Sequence, residues 1–317
     1  MALPLSETSL QDKLVVLLGG GGFVGTHVAQ ELLARGARLR IASRHPERAY
    51  ALKTLGNLGQ VQFARCDLAR PDSVKRVLAG ADAVVNLVGA FAGKLDAIQG
   101  SGLGAIAGAA LEAGASAFVQ VSSLNADAGS QVAYARTKAE GEAAVLAAFP
   151  EATILRPSII FGQYDGFVNR FAQLVAGLPV VPVFVPGAQL QPVFVDDVAE
   201  AVAITLADPE THGGKTYELA GPETVSMQAV MERIATACGR DPLLLPVCNL
   251  GAGLFAALPG TPLSTDQLHL LKAGSLATGS LPGLAELGIT ARPMELFLDR
   301  WLMRYREHGR FGVKRAA

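Results

Sequence analysis

Tyr134 and Lys138 stand four residues apart in the run Tyr134-Ala135-Arg136-Thr137-Lys138. That spacing sets both side chains on one face of a helix. An ammonium beside a phenol favours the phenolate and draws its pKa from about 10 toward neutrality. Such a tyrosine can exchange a proton with a carbinol or a carbonyl while a redox partner exchanges hydride. Ser123 follows the apolar run Ala117–Val121, and its hydroxyl can hydrogen-bond the same substrate oxygen. Tyr134, Lys138 and Ser123 are therefore the candidate catalytic residues. A Tyr and a Lys at this spacing also recur by chance as surface neighbours; the strand ending in Val121-Ser122-Ser123 just upstream makes the pattern more specific.

A second constellation lies near the start of the chain. Gly19-Gly20-Gly21-Gly22-Phe23-Val24-Gly25 contains Gly-x-x-Gly-x-x-Gly through Gly19, Gly22 and Gly25. One glycine makes a tight strand-to-helix turn, one admits a pyrophosphate to the backbone, and one lets the helix pack close to the sheet. The helix start then offers free N–H groups and the positive end of its dipole to phosphates. The alternative, a glycine-rich turn without a ligand, is disfavoured because the motif follows an apolar strand and opens a helix. A dinucleotide site is expected, and with it a nicotinamide for Tyr134 to work beside.

NAD sites usually carry an Asp or Glu at the end of the second strand for the ribose 2′-hydroxyl. This chain has Ser43-Arg44-His45 there. Arg44 can pair with a 2′-phosphate, Ser43 can donate to it, and Arg48 lies one turn on. NADP(H) is therefore the preferred cofactor, with NAD(H) also admitted; a solvated Arg44 is the plainer alternative. Asp67 either closes the adenine side of the site or caps a turn.

These residues need a scaffold, and the hydrophobic pattern supplies one. Lys13–Leu18, Arg38–Ala42, Val61–Cys66, Ala83–Val88, Ala117–Val121 and the run from Thr153 read as strands. Phe23–Arg35, Pro46–Leu55, Asp72–Leu78, Asp96–Ala113 and Tyr134–Ala148 read as the intervening helices, with Gly36 at a stop position. Strict alternation means a parallel sheet with right-handed crossovers. The expected class is α/β, a Rossmann-type doubly wound parallel sheet with a smaller C-terminal substrate-side lobe. The dinucleotide-binding domain is expected over residues 1–160, with return segments near 190–220; residues 161–317 form mainly the substrate or partner lobe and a basic C-terminal helix. In that half Val195–Leu206 and Ser226–Cys238 read as helices and Thr216–Leu219 as a strand.

Composition narrows the partners. Half of the 317 residues are apolar, only 17% are charged, and the net charge is −1, which argues against nucleic acid. Cys66, Cys238 and Cys248 lack metal-ligand spacing and read as reduced, buried thiols of a cytoplasmic protein, and no metal is expected. Met1–Gln11 has no signal-peptide pattern. Two uncharged stretches, Phe171–Val195 and Pro242–Thr265, are broken by proline and glycine and read as buried lobe segments rather than membrane spans.

The chain resembles the extended or atypical short-chain dehydrogenase/reductases. The resemblance rests on Gly19–Gly25, Asp67, Asn86-Leu87-Val88-Gly89, Ser122-Ser123, Tyr134 with Lys138, Arg156 to Gly162 and Gln191 to Val198, and covers about Leu14 to Gly221. It implies a cofactor-binding set of Gly19, Gly22, Phe23, Val24, Gly25, Ser43, Arg44, Asp67, Leu68, Leu87, Val88, Gly89, Val121, Lys138, Pro157 and Ile159, with Lys138 on the nicotinamide ribose. Within that superfamily, Gly20–Gly25, Val121–Ala126, Tyr134–Glu142, Ile154–Gly162, Leu263–Gln267 and Leu287–Ile289 are most similar to the NADPH-binding accessory subunits of respiratory complex I and their bacterial homologues. The mitochondrial members of that group hold their cofactor as a structural element. They also lack a serine at the position of Ser123, which this chain keeps.

Two functions from different classes follow. One is an NADP(H)-dependent oxidoreductase acting on a hydroxyl or carbonyl of a small apolar, quinone- or isoprenoid-like substrate. Ile159, Phe161, Phe167, Val181, Val183, Phe184 and Val185 would supply an apolar pocket or simply core. The other is a non-catalytic, nucleotide-stabilised accessory protein of a respiratory NADH:quinone oxidoreductase, peripheral on the cytoplasmic face of the inner membrane. For that reading Arg300, Arg304, Arg306, Arg310, Lys314 and Arg315, interleaved with Trp301, Leu302, Met303, Tyr305 and Phe311, would meet an anionic surface; a helix docked on its own domain is the plainer account. A nucleotide-sugar epimerase or dehydratase is the weaker third reading, because Arg170 is one of few residues in the lobe able to grip a diphosphate.

Overall fold

Leu14–Leu18 (β1) is apolar and buried at every position, as a strand must be when both faces of its sheet are covered. In the computed structural model, which describes residues 10–247, 265–307 and 309, the chain divides into two compact units. The first is Met1–Pro157, Val195–Leu219 and Gly279–Thr290; the second is Ser158–Phe194, Ala220–Thr278 and Ala291–Ala317.

In the first unit, β1 is followed by β2 (Arg38–Ser43), β3 (Val61–Arg65), β4 (Ala83–Asn86), β5 (Ala117–Val121) and β6 (Thr153–Pro157). The chain then enters the second unit, forming β7 (Ile160–Phe161), β8 (Val180–Phe184), β9 (Gln189–Leu190) and β10 (Val193–Phe194), before β11 (Thr216–Leu219) returns to the first. The sheet order is β11-β6-β5-β4-β1-β2-β3, and every neighbouring pair is parallel. The chain winds outward from β1 to β3, then crosses back to β4. Ligands of such sheets bind outside the strand ends where the winding reverses, here above β1 and β4.

The helices are α1 (Phe23–Ala34), α2 (Pro71–Leu78), α3 (Leu95–Gln99), α4 (Leu103–Glu112) and α5 (Ala133–Ala148), then α6 (Val168–Gly177) in the second unit and α7 (Val195–Ala207) back in the first. Val16, Leu18, Val84, Phe118 and Ile154 from the sheet pack with Leu103, Ile106 and Val145 from α4 and α5. Val15 and Leu17, which alternate with Val16 and Leu18, are also fully buried. Helices α1 and α7 pack together.

One expectation needs correcting. Asp96–Ala113 is not one helix: α3 ends at Gln99 and α4 starts at Leu103. Two glycines in three residues remove the backbone preference for continuing. The Gly100 and Gly102 N–H groups turn back to Leu95 O (3.1 Å) and Asp96 O (3.0 Å). Pro46–Leu55 is a helix as expected, wound as 3-10. Its buried residues, Ala49 and Leu52, lie three apart, the repeat at which a 3-10 helix aligns its side chains.

The second unit pairs β7 with β10 and β8 with β13 (Leu243–Val247), both parallel, and β9 antiparallel with β12 (Val225–Ser226). Ser226 Oγ caps α8's successor α9 (Met227–Ala237; α8 is Pro209–His212 of the first unit) by accepting the Ala229 N–H at 3.1 Å. Phe161, Val181, Val183 and Phe184 are fully buried core, so they do not line an open pocket. The C-terminal segment is a helix over Glu295–Trp301 followed by a 3-10 turn at Leu302–Tyr305. Phe297 stacks on Phe194 (4.2 Å) and Trp301 on Phe297 (4.7 Å). Arg304 donates to Gln163 O at 3.0 Å and Arg306 to Ala237 O at 3.1 Å. This part of the tail is thus docked on its own unit, and Arg300 is exposed. Arg310, Phe311, Lys314 and Arg315, like Cys248, Leu263 and Ser264, lie outside the described residues. Among the described residues no helix is long and apolar enough to cross a membrane. Cys66 and Cys238 are buried, and burial pushes both thiols up, Cys238 to about 12.

Candidate functional site

The loop between β1 and α1 has the backbone its glycines demand. Gly19 sits at φ +81°, where an L side chain is strained, and a Cβ there would lie 3.0 Å from Val88 Cγ2. A Cβ on Gly25 would lie 2.6 Å from the backbone of Gly20, so the first turn of α1 rests directly on the loop. Gly22 caps α1 without any side-chain hydrogen bond, and no acidic residue stands in the first turn. The first N–H groups and the positive dipole end are left for an anion. Phe23 and Val24 are half-buried in that turn.

Ser43, at the end of β2, has its Oγ closed off from solvent with no hydrogen-bond partner. A buried hydroxyl without a partner costs free energy, and a ligand oxygen would satisfy it. Arg44 beside it is exposed. These features fit a dinucleotide with its pyrophosphate on α1 and its ribose end at Ser43 and Arg44. Asp67 Oδ1 accepts the Ala69 N–H at 3.1 Å, closing a turn. Leu68 and Val88 pack half-buried against the core, and Leu87 continues the sheet by donating to Leu18 O at 2.9 Å.

The three candidate catalytic residues come together. Ser123 follows β5, and Tyr134 and Lys138 lie one turn apart on α5; the Ser123 hydroxyl stands near enough to the Tyr134 phenol to favour its ionised form. Lys138 is buried, with 4% of its surface exposed. Its Nζ donates to Val121 O at 3.1 Å and lies 6.0 Å from the centre of the Tyr134 ring. A Cβ on Gly89 would stand 3.3 Å from that Nζ, so Gly89 lets the β4 loop approach the lysine.

The electrostatics correct one expectation. Burial raises the Tyr134 phenol above its usual value, and the nearby Ser123 hydroxyl opposes that only in part. Lys138 does not draw the phenol down in this arrangement. Its own ammonium is brought down to about 8 by burial, against the attraction of Glu142. Both groups are protonated at neutral pH.

The supporting residues were not among the expected site. Asn86 Nδ2 donates to Gln120 Oε1 (2.8 Å), and Gln120 Nε2 donates to Val121 O (3.0 Å), the carbonyl that Lys138 uses. Arg156 grips the buried Glu142, one turn past Lys138, through Nε at 3.0 and 3.1 Å and Nη2 at 2.5 Å. Gln99 Oε1 accepts the Ala90 N–H at 2.8 Å while its amide donates to Thr137 Oγ1 at 2.9 Å. Asn86 and Gln120 had a signal: each is the polar residue in an otherwise apolar strand. Pro157 O accepts the Leu124 N–H at 3.0 Å, close to Ser123 in sequence. Ile159 belongs to the second unit. A cavity of about 350 Å³ lined by Gly93, Lys94, Leu95, Asp96, Ala97, Ala133, Arg136 and Thr137 adjoins the first turn of α5, and Tyr134 does not line it.

Comparison with known proteins gives concordant results. A family profile described as "NAD dependent epimerase/dehydratase family" matches residues 15–220. The chain is 31% identical over an alignment 318 positions long, which covers 95% of this chain and 83% of the relative, to NADH dehydrogenase (ubiquinone) 1 alpha subcomplex subunit 9, mitochondrial, of Mus musculus. It is 33% identical over 200 residues, 62% of each chain, to a ceramide reductase of Caulobacter vibrioides. The structure of the Citrobacter sp. triphenylmethane reductase complexed with NADP(H) superposes with a TM-score of 0.71 at 19% identity, covering 91% of this chain and 99% of that one; this last likeness is one of fold.

Proposed function

The chain belongs to the NAD dependent epimerase/dehydratase family, and on that premise we propose that it is an NADP(H)-dependent oxidoreductase acting on a carbonyl or hydroxyl of a small apolar molecule. The observation that carries this reading is the placement of Ser123 beside the Tyr134 phenol, with Lys138 buried one turn along the same helix. A purely structural cofactor site has no need of such a group. The α1 N-terminus, Ser43 and Arg44 would hold the dinucleotide, and the missing carboxylate after β2 favours the 2′-phosphate form. When bound, the nicotinamide supplies or accepts hydride. Ser123 orients the substrate oxygen, and Tyr134 holds the proton at its phenol oxygen and delivers it. Lys138 keeps positive charge beside them, its ammonium anchored on Val121 O.

A second reading is favoured by the 31% identity that spans 95% of the chain. In it the cofactor is held and not turned over, and the partner is a respiratory membrane complex on the cytoplasmic face. One experiment separates the two. Protein loaded with NADPH is challenged with short-chain quinones and isoprenoid carbonyls while cofactor fluorescence is followed, with Tyr134→Phe as control. Oxidation by wild type that the control lacks supports the enzyme. Tight retention without oxidation in either protein refutes it and leaves the accessory role. Failure to retain NADPH refutes both.

A further inference from the structure

Phe91 lies on the β4 loop, two residues past Gly89, and has no part in the reaction just described. Its ring stacks on that of Tyr134, with centres 4.5 Å apart and planes inclined by 19°. Yet 47% of its surface is exposed. An exposed phenylalanine on a free loop would have no reason to keep one orientation. This loop is not free. Gln99, fully buried, accepts from the backbone of Ala90 and donates to Thr137. Thr137 stands three residues past Tyr134 on α5 and is itself fixed to Ala133 O at 2.8 Å. A single buried amide thus ties the residue before Phe91 to the helix that carries Tyr134. Aromatic pairs in such offset stacks gain stability beyond the area they bury.

We propose that Phe91, seated by Gln99, is a positioning residue that covers the Tyr134 phenol and forms an apolar wall beside it, selecting flat, apolar carbonyl compounds. The substrate half of this proposal rests on the oxidoreductase reading; the covering of Tyr134 does not. One face of the Phe91 ring is taken by Tyr134, and its remaining surface is open to a ligand. A polyhydroxylated sugar would have to lose water against that surface without a hydrogen bond in return.

The test has two arms. In cofactor-free protein, ionisation of Tyr134 is read at 295 nm as the difference between a protein and its Tyr134→Phe counterpart. Phe91→Ala should move this ionisation down toward the ordinary tyrosine value. Phe91→Leu, which keeps an apolar cover, should restore most of it, and Gln99→Leu should lower it as Phe91→Ala does. Identical titration of Tyr134 in wild type and Phe91→Ala overturns the proposal, provided circular dichroism shows both folded. In the second arm NADPH turnover is measured with 9,10-phenanthrenequinone as a flat apolar dicarbonyl. Phe91→Ala should raise KM about tenfold with kcat within a factor of three, the loss expected for an apolar contact made equally in ground and transition states. An unchanged KM overturns the substrate half. No turnover by wild type counts against the oxidoreductase reading alone, and the absorbance titration still decides whether Phe91 covers Tyr134.

Discussion

Replacing Lys138 by Met should stabilise the folded chain at neutral pH and lose that advantage in alkali. Lys138 is 4% exposed, and burial lowers its ammonium from 10.5 to about 8. At about 1.4 kcal/mol per unit, holding it charged in the fold costs about 3 kcal/mol relative to the unfolded chain. Methionine keeps the unbranched stem and removes the charge. The lost hydrogen bond offsets about 1 kcal/mol, but Val121 O stays satisfied because Gln120 Nε2 donates to it at 3.0 Å. The variant is therefore expected to be about 2 kcal/mol more stable at pH 7. Between pH 8 and 10.5 the unfolded lysine keeps a proton that the folded one has released. Stability of the wild type must then rise with pH, by about 2 kcal/mol between pH 7 and pH 9.5. The variant lacks this contribution, so the gap should close by pH 9.5. Urea unfolding of both proteins at the two pH values measures it, and other titrating groups cancel in the difference. A gap of the same size at both pH values would refute the reasoning, because it would mean that Lys138 titrates alike in the folded and unfolded chains.

Three further outcomes are expected. Arg44→Ala should weaken NADPH binding about tenfold or more, the worth of one charge-assisted hydrogen bond, and leave NADH binding nearly unchanged; equal losses for both cofactors in fluorescence titrations would remove Arg44 from the 2′-phosphate. Gly25→Ala places a Cβ 2.6 Å from backbone atoms of Gly20 that have no rotamer to escape into, so a loss of about 1–3 kcal/mol and of NADPH retention is expected; a normal melting temperature would contradict it. Arg156→Met strands the buried Glu142 carboxylate and should cost about 2 kcal/mol after allowance for the partial exposure of Arg156. Adding Glu142→Gln should recover most of that loss in chemical denaturation, and no recovery would show that the arginine acts by packing.

The parts of the fold visible in the sequence were those with a local cause. β1 is an unbroken apolar run followed by glycines, and Gly19 adopts the positive φ that only glycine takes without strain. Tyr134 and Lys138 share a helix because their spacing requires it once α5 exists. What was hidden depends on contacts distant in sequence. Gln99 reads as one more residue in a small-residue helix, and its value comes from Ala90 and Thr137 reaching it at once. The break at Gly100–Gly102 was written in the glycines but masked by the helical run around them. The tail shows the limit from the other side. Its charges and aromatics left two accounts open, an outward surface or a helix docked on its own domain, and over the described residues the docked one holds: Trp301 stacks on Phe297, and Arg304 and Arg306 bind backbone carbonyls of their own unit.

Under the proposed reading, the sign of the Tyr134 shift decides which way the reaction runs best. From spacing alone the ammonium of Lys138 should favour the phenolate. In the fold that ammonium is engaged with Val121 O and lies 6.0 Å from the ring centre, while burial disfavours any charge on the phenol. Desolvation wins. A phenol held above 10 is ionised in fewer than about one molecule in a thousand at pH 7. Tyr134 is therefore loaded to give a proton to a carbonyl oxygen and poorly prepared to take one from an alcohol. Carbonyl reduction should be nearly flat with pH from 6 to about 7, whereas alcohol oxidation should climb with pH as the phenolate fraction grows, about tenfold per unit while the phenol stays mostly protonated. Initial rates in the two directions across that range measure this, and an oxidation rate independent of pH would place the proton acceptor somewhere other than Tyr134.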